Sequence, residues 1–123
     1  MRKPATLAAV ASLATLLGGV FVAPAAVHAE AAEDVIKKGK AVAMDRRKGN
    51  CISCHMMDDG VSPGNLGPPL VAMKARFPDK EVLRSQIYDP ETANANTRMP
   101  PFGKHAILTE DELNAVVEYV YTL

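Results

Sequence analysis

Apolar side chains recur three and four residues apart in three stretches of this chain, and nothing alternates with period two. The clearest is at the C-terminus. Leu113, Val116, Val117 and Val120 fall at i, i+3, i+4 and i+7, the stripe of a helix with one buried face. Thr109-Glu110-Asp111-Glu112 ahead of it is a capping box, with Leu108 and Leu113 placed as a hydrophobic staple. A second stripe, Val82, Leu83, Gln86 and Ile87, predicts a helix over Lys80–Tyr88, with Asp79 as N-cap and Pro90 as its stop. Val35, Ile36, Val42 and Met44 predict an N-terminal helix over Ala32–Arg47, with Glu33 and Asp34 in a favourable first turn. Gly39 inside it costs roughly 1 kcal/mol against Ala unless something packs closely there, and a crossing helix is the natural candidate. Leu70–Phe77 predicts a short helix closed off before Pro78. The expected fold class is all-α.

Loops separate these helices. Met56–Gly67 is rich in Gly, Asp, Ser, Pro and Asn. Glu91–Lys104 reads as a long structureless loop, and such loops in small domains are usually functional. Upstream, Arg2 and Lys3 precede an apolar run from Ala5 to Val22 and then Val27-His28-Ala29. This order of charge, apolar run and small-residue site reads as a secretory signal peptide over residues 1–29, cut after Ala29. The alternative is a retained N-terminal membrane anchor. The remaining 94 residues, 30–123, form one small domain with 12 Lys and Arg against 14 Asp and Glu, a net of −2. No dense basic run exists, which argues against nucleic acid as a partner. A chain this short buries a limited share of its surface, so a cofactor in the core would help it fold.

Cys51-Ile52-Ser53-Cys54-His55 supplies that cofactor. C-x-x-C-H is the attachment signature of c-type haem. Two thiols add across the porphyrin vinyl groups, and the adjacent imidazole meets the iron. In a helical run Cys51, Cys54 and His55 share one face. A thioredoxin-type pair would need a βαβ setting, which is missing, and a zinc site would need further cysteines, of which the chain has none. With both cysteines in the motif, no disulfide is available. Gly67-Pro68-Pro69-Leu70 offers either a rigid carbonyl for the Nδ1–H of His55 or an ordinary proline turn. The sixth position on the iron is open to three readings. Met56 and Met57 are tethered beside His55, while Met44 and Met73 lie in helical stretches and suit the core. Met99 sits in the long loop ahead of Pro100 and Pro101 and is favoured; His105 and an open site are the alternatives. Arg46, Arg47, Lys48, Arg98 and Lys104 flank these elements and would steer acidic partners.

Over most of residues 30–123 the chain resembles class I c-type cytochromes. Within them it is similar to SoxX-type cytochromes, the small monohaem subunits of the sulfur-oxidising complex SoxAX. The resemblance is carried by Gly49–His55, Gly64–Leu70, Leu83–Asp89, Asn94–Gly103 and the stretch from Leu108 to Tyr121. It implies one covalent haem c held by Cys51 and Cys54, with His55 and Met99 as axial ligands. It further implies that the Pro68 carbonyl orients His55 and that Gly39 meets the C-terminal helix near Tyr119. It implies a periplasmic subunit of an L-cysteine S-thiosulfotransferase, whose catalytic haem belongs to a larger SoxA-like cytochrome. Its partners would be that subunit, a sulfur-carrier protein and a soluble cytochrome c acceptor, with no membrane attachment after signal cleavage.

Overall fold

A computed structural model describes residues 25–123, with side chains from residue 30 onward. The apolar run of the expected signal peptide lies outside the described residues. The expected cut after Ala29 falls within the first helix, α1, Ala25–Met44. After α1 come a 3₁₀ turn at Cys51–Ser53, the short helix α2 at Met73–Arg76, α3 at Lys80–Tyr88, a 3₁₀ turn at Pro90–Thr92, and α4 at Glu110–Tyr121. Among the described residues there is no strand, so the fold is all-α, as the periodicity predicts. No helix among them is long and apolar enough to cross a membrane.

The local signals at α3 and α4 set those helices as expected. Asp79 caps α3 by accepting from the Glu81 amide at 2.9 Å. The α4 box is reciprocal: Thr109 Oγ1 accepts from the Glu112 amide at 3.3 Å, and Glu112 Oε2 accepts from the Thr109 amide at 3.1 Å. Leu108 and Leu113 are both buried beneath it, as a staple requires.

Three boundaries differ from the sequence reading. α1 begins seven residues before Ala32, so Glu33 and Asp34 lie inside it and not in its first turn. It ends at Met44, not Arg47, because Asp45 turns the chain: its side chain accepts from the Arg47 amide and its carbonyl from the amides of Lys48 and Asn50. The helix expected over Leu70–Phe77 shrinks to one turn, since Ala72 sits at φ 52° and Pro78 blocks extension. The segment after α3 is also less irregular than expected. The amides of Gly103 and Lys104 both bond the Tyr88 carbonyl, and Leu108 bonds Phe102 at 3.0 Å.

The core forms where α1 crosses α4. A Cβ on Gly39 would lie 1.9 Å from the Ala115 carbonyl oxygen and 2.8 Å from Tyr119 Cβ. The crossing partner expected for Gly39 is therefore α4, at Ala115 and Tyr119. Beside it, Lys40 Nζ reaches Asp58 Oδ2 at 2.7 Å and Asp59 Oδ1 at 2.8 Å, and the Tyr119 hydroxyl donates to Asp58 at 3.1 Å. This cluster ties the loop after His55 to both helices.

The cluster makes stability sensitive to acid. The Lys40 ammonium, then the Tyr119 hydroxyl, hold the Asp58 carboxyl below the usual range. Lys48, then the Thr109 amide, does the same for Glu112. Carboxyls depressed on folding stabilise the fold above their unfolded pKa, and that stability is lost as pH falls through the folded value. The melting midpoint should hold between pH 7 and 5 and drop below about pH 4, where carboxyls titrate. Lys40→Met should melt lower at pH 7, and its deficit against the parent should narrow on acidification. A deficit of constant size would show that the Asp58 linkage is absent.

Candidate haem site

Between the Cys51–Ser53 turn, α2, α3, α4 and the loop after α3 lies a cavity of about 790 Å³. That falls in the upper part of the range for pockets that take small molecules and cofactors. Cys51, Cys54 and His55 line it together, as one-faced placement requires. The turn that achieves this is built from His55 N and Cys54 N bonding the Cys51 carbonyl at 2.9 and 3.2 Å. Asn50 enters the turn left-handed at φ 45°, a conformation asparagine tolerates. Both cysteines are unbridged. Burial pushes the Cys51 thiol up to about 11, the opposite of what a redox dithiol needs.

His55 is held from behind. Its Nδ1 lies 2.7 Å from the Pro68 carbonyl oxygen. A carbonyl only accepts, so Nδ1 carries the proton and Nε2 keeps its lone pair for a metal. Of the two readings of Gly67-Pro68-Pro69-Leu70, the structure shows the carbonyl that holds His55. Three backbone bonds lay this segment along the motif: Gly64 to Ile52 at 2.9 Å, Gly67 to Cys54 at 2.8 Å and Leu70 to Met56 at 2.8 Å. A Cβ on Gly67 would lie 2.4 Å from His55 Cε1, so only glycine lets the backbone lie against the ring.

Among the described residues the cavity wall carries two methionines, Met73 and Met99. Met73 is buried in the core, and its sulfur accepts from Arg76 at 3.4 Å. Met99 comes from the loop after α3, partly buried, with its amide bonded to Thr97 Oγ1 at 3.1 Å. His105 is exposed and takes no part in the wall. Met57 is core and Met56 points to solvent. The expected ring of free cations is smaller than its sequence suggests. Lys48 pairs with Glu112, and Lys104 bridges Asp89 at 3.0 Å and Glu91 at 2.9 Å.

A family model described as cytochrome C oxidase, cbb3-type, subunit III matches residues 34–120. The chain belongs to this family. It is a c-type cytochrome domain, with the all-α fold of class I cytochromes. An uncharacterized lipoprotein of Aquifex aeolicus (strain VF5) is 33% identical over 76 residues, 61% of this chain. The aligned region is 37% of that relative, so the chain spans well under half of its length.

The donor set fits haem c. Two thiols at C-x-x-C spacing and an imidazole with its Nε2 free line one cavity, whose remaining walls are largely apolar. Leu83, Ile87, Phe102, Val116 and Val120 supply that apolar surface and exclude water from a bound ring. Bound haem c supplies a one-electron iron couple. Sequence reasoning did not single out Gly67, Met73 or Arg76 as parts of this wall. Only the Gly immediately before a Pro-Pro pair gave a signal, and only for Gly67.

Proposed function

We propose that this chain is a monohaem electron-transfer protein of the periplasm, with His55 and Met99 as axial ligands of one covalent haem c. The observation that supports it most is the single cavity lined by Cys51, Cys54, His55 and Met99. A neutral thioether opposite imidazole favours ferrous iron and fills the sixth position, which suits electron passage over substrate binding.

The narrower proposal is the electron-accepting subunit of an L-cysteine S-thiosulfotransferase. Two segments similar to SoxX-type cytochromes, Gly64–Leu70 and Asn94–Gly103, supply the His55 holder and the Met99 loop of the cavity. In that reaction a sulfur–sulfur bond forms between a carrier cysteine and thiosulfate. The thiol proton and two electrons leave. This chain takes one electron at a time, so the coupling needs a larger SoxA-like haem subunit, two transfers and a soluble cytochrome c as acceptor. A second reading is a free-standing, diffusible cytochrome that shuttles electrons between proteins; the family's description, which names a subunit of an oxidase, supports only the link to an oxidase as electron acceptor.

Purification from the native periplasm separates the two. A complex with a larger haem protein, and reduction of this haem by thiosulfate plus carrier only in that complex, is the expected result. A monomer that reduces a terminal oxidase unaided would overturn the thiosulfotransferase reading and leave the shuttle.

A further inference from the structure

The loop that carries Met99 is fastened to the body of the domain at its neck. It leaves α3 at Tyr88 and returns at Gly103, whose amide, with that of Lys104, donates to the Tyr88 carbonyl at 3.1 Å. A Cβ on Gly103 would lie 2.0 Å from Tyr88 Cδ2, so only glycine lets the chain return across that ring. Across the same neck Lys104 Nζ bridges Asp89 Oδ2 at 3.0 Å and Glu91 Oε2 at 2.9 Å. Among the described residues, the hydrogen bonds of Ala93–Pro100 all stay within residues 90–99. A surface loop whose ends meet and whose own bonds are local opens more easily than the body that carries it.

The three charged groups of the neck differ in exposure. The side chains of Lys104 and Glu91 are 44% and 48% exposed, and an ion pair between such groups holds little by itself. Asp89 is 16% exposed, and its Oδ1 is buried with no hydrogen-bond partner among the described residues. Its charge therefore leans on Lys104 through Oδ2. Without that ammonium a mostly buried carboxylate would stand uncompensated while the loop is closed, and water would reach it once the loop opens. The cation thus favours the closed loop by more than a surface pair would.

We propose that Lys104 is a positioning residue for Met99. By bridging Asp89 and Glu91 it closes the neck of the loop, and a closed loop keeps the thioether at the sixth position of the iron. This rests on the reading of Met99 as an axial ligand. Lys104 does not line the cavity, so it acts through the loop and not on the ring. It reduces the disorder that Met99 must give up to bind. One ion triad at the rim of the domain thereby sets how often the sixth position stands open.

The test uses the mature holoprotein with Lys104→Gln, Lys104→Arg and Glu91→Gln, and with Lys40→Met for comparison. Three properties are read: the rate at which the reduced protein binds carbon monoxide, the denaturant midpoint at which the ferric protein loses its iron–thioether absorption band, and the midpoint at which helical circular dichroism is lost. Lys104→Gln should bind carbon monoxide about tenfold faster, because Met99 must leave first, and should lose the band at clearly lower denaturant than its helices. Glu91→Gln should speed binding roughly two- to threefold, as expected for an exposed pair. Lys104→Arg keeps the charge at the neck and should return both readings to near the parent. Lys40→Met breaks the other ion cluster, so it should lower the band and helix midpoints together and leave the carbon monoxide rate near the parent. If Lys104→Gln binds carbon monoxide at the parent rate, or loses band and helices together, the Lys104 assignment is overturned and Met99 ligation stands. The assignment is equally lost if Lys40→Met speeds binding as much as Lys104→Gln, since any loss of stability would then suffice. If the parent shows no iron–thioether band, the Met99 reading fails first and this assignment falls with it. Should Lys104→Gln give no folded holoprotein, Glu91→Gln decides on the same readings.

Discussion

Met99→Ala should keep its covalent haem, bind carbon monoxide readily when reduced, and show a lower reduction potential. In the proposed attachment Cys51 and Cys54 hold the haem, and the substitution touches neither, so colour should survive denaturation. What changes is the sixth position. Met99 is the cavity-lining methionine that stands on a loop, fixed by its amide bond to Thr97 and by Pro100 and Pro101 behind it. Met73, the other one in the wall, is buried with its sulfur facing Arg76. Axial ligation sets haem potentials over about 0.8 V, so loss of the thioether should lower this one by on the order of 0.1 V. A redox titration and a carbon monoxide difference spectrum measure both effects. His105→Ala is the control and should change neither, because His105 is exposed and away from the wall. An unchanged spectrum and potential in Met99→Ala, with a change in His105→Ala, would reverse the ligand assignment.

The parts of this molecule that were legible in its sequence are those encoded over a few residues. The Thr109–Glu112 box, the Asp79 cap and the C-x-x-C-H run each state their structure within one turn, and each formed as read. Gly39 was legible as a close approach, and its partner was the one the resemblance implied. Helix ends were less legible where a side chain outside the periodic pattern decided them, as Asp45 does after α1. Least legible were pairings across long sequence separations. Nothing local shows that Lys40 meets Asp58 and Asp59 or that Lys104 is neutralised by Asp89 and Glu91. No local signal marks Arg76, and only the folded chain sets it beside the Pro69 carbonyl.

Gly39→Ala decides whether the α1–α4 crossing carries the fold, because two effects of opposite sign compete there. In an open helix interior, Ala in place of Gly stabilises by about 1 kcal/mol. At this crossing the added Cβ would fall 1.9 Å from the Ala115 oxygen and 2.5 Å from the Ala115 carbonyl carbon. Those are backbone atoms of α4, so no rotamer change relieves the overlap and the two helices must separate. Separation costs packing along Val116, Val117 and Val120, which are almost fully buried. Overpacking costs roughly 1–3 kcal/mol, and an overlap with backbone atoms puts this site at the upper end, about 3 kcal/mol, which outweighs the propensity gain. The net expectation is a loss of about 2 kcal/mol, a midpoint lower by roughly 8–16 °C in a domain of this size. Val116 and Val120 also line the haem cavity, so the shift of α4 should reach the site and broaden the haem spectrum of the folded variant. Thermal melts of the two holoproteins measure the sign directly. A variant that melts at or above the parent would mean that the helices part without cost, and the crossing would then not be what holds the cavity in shape.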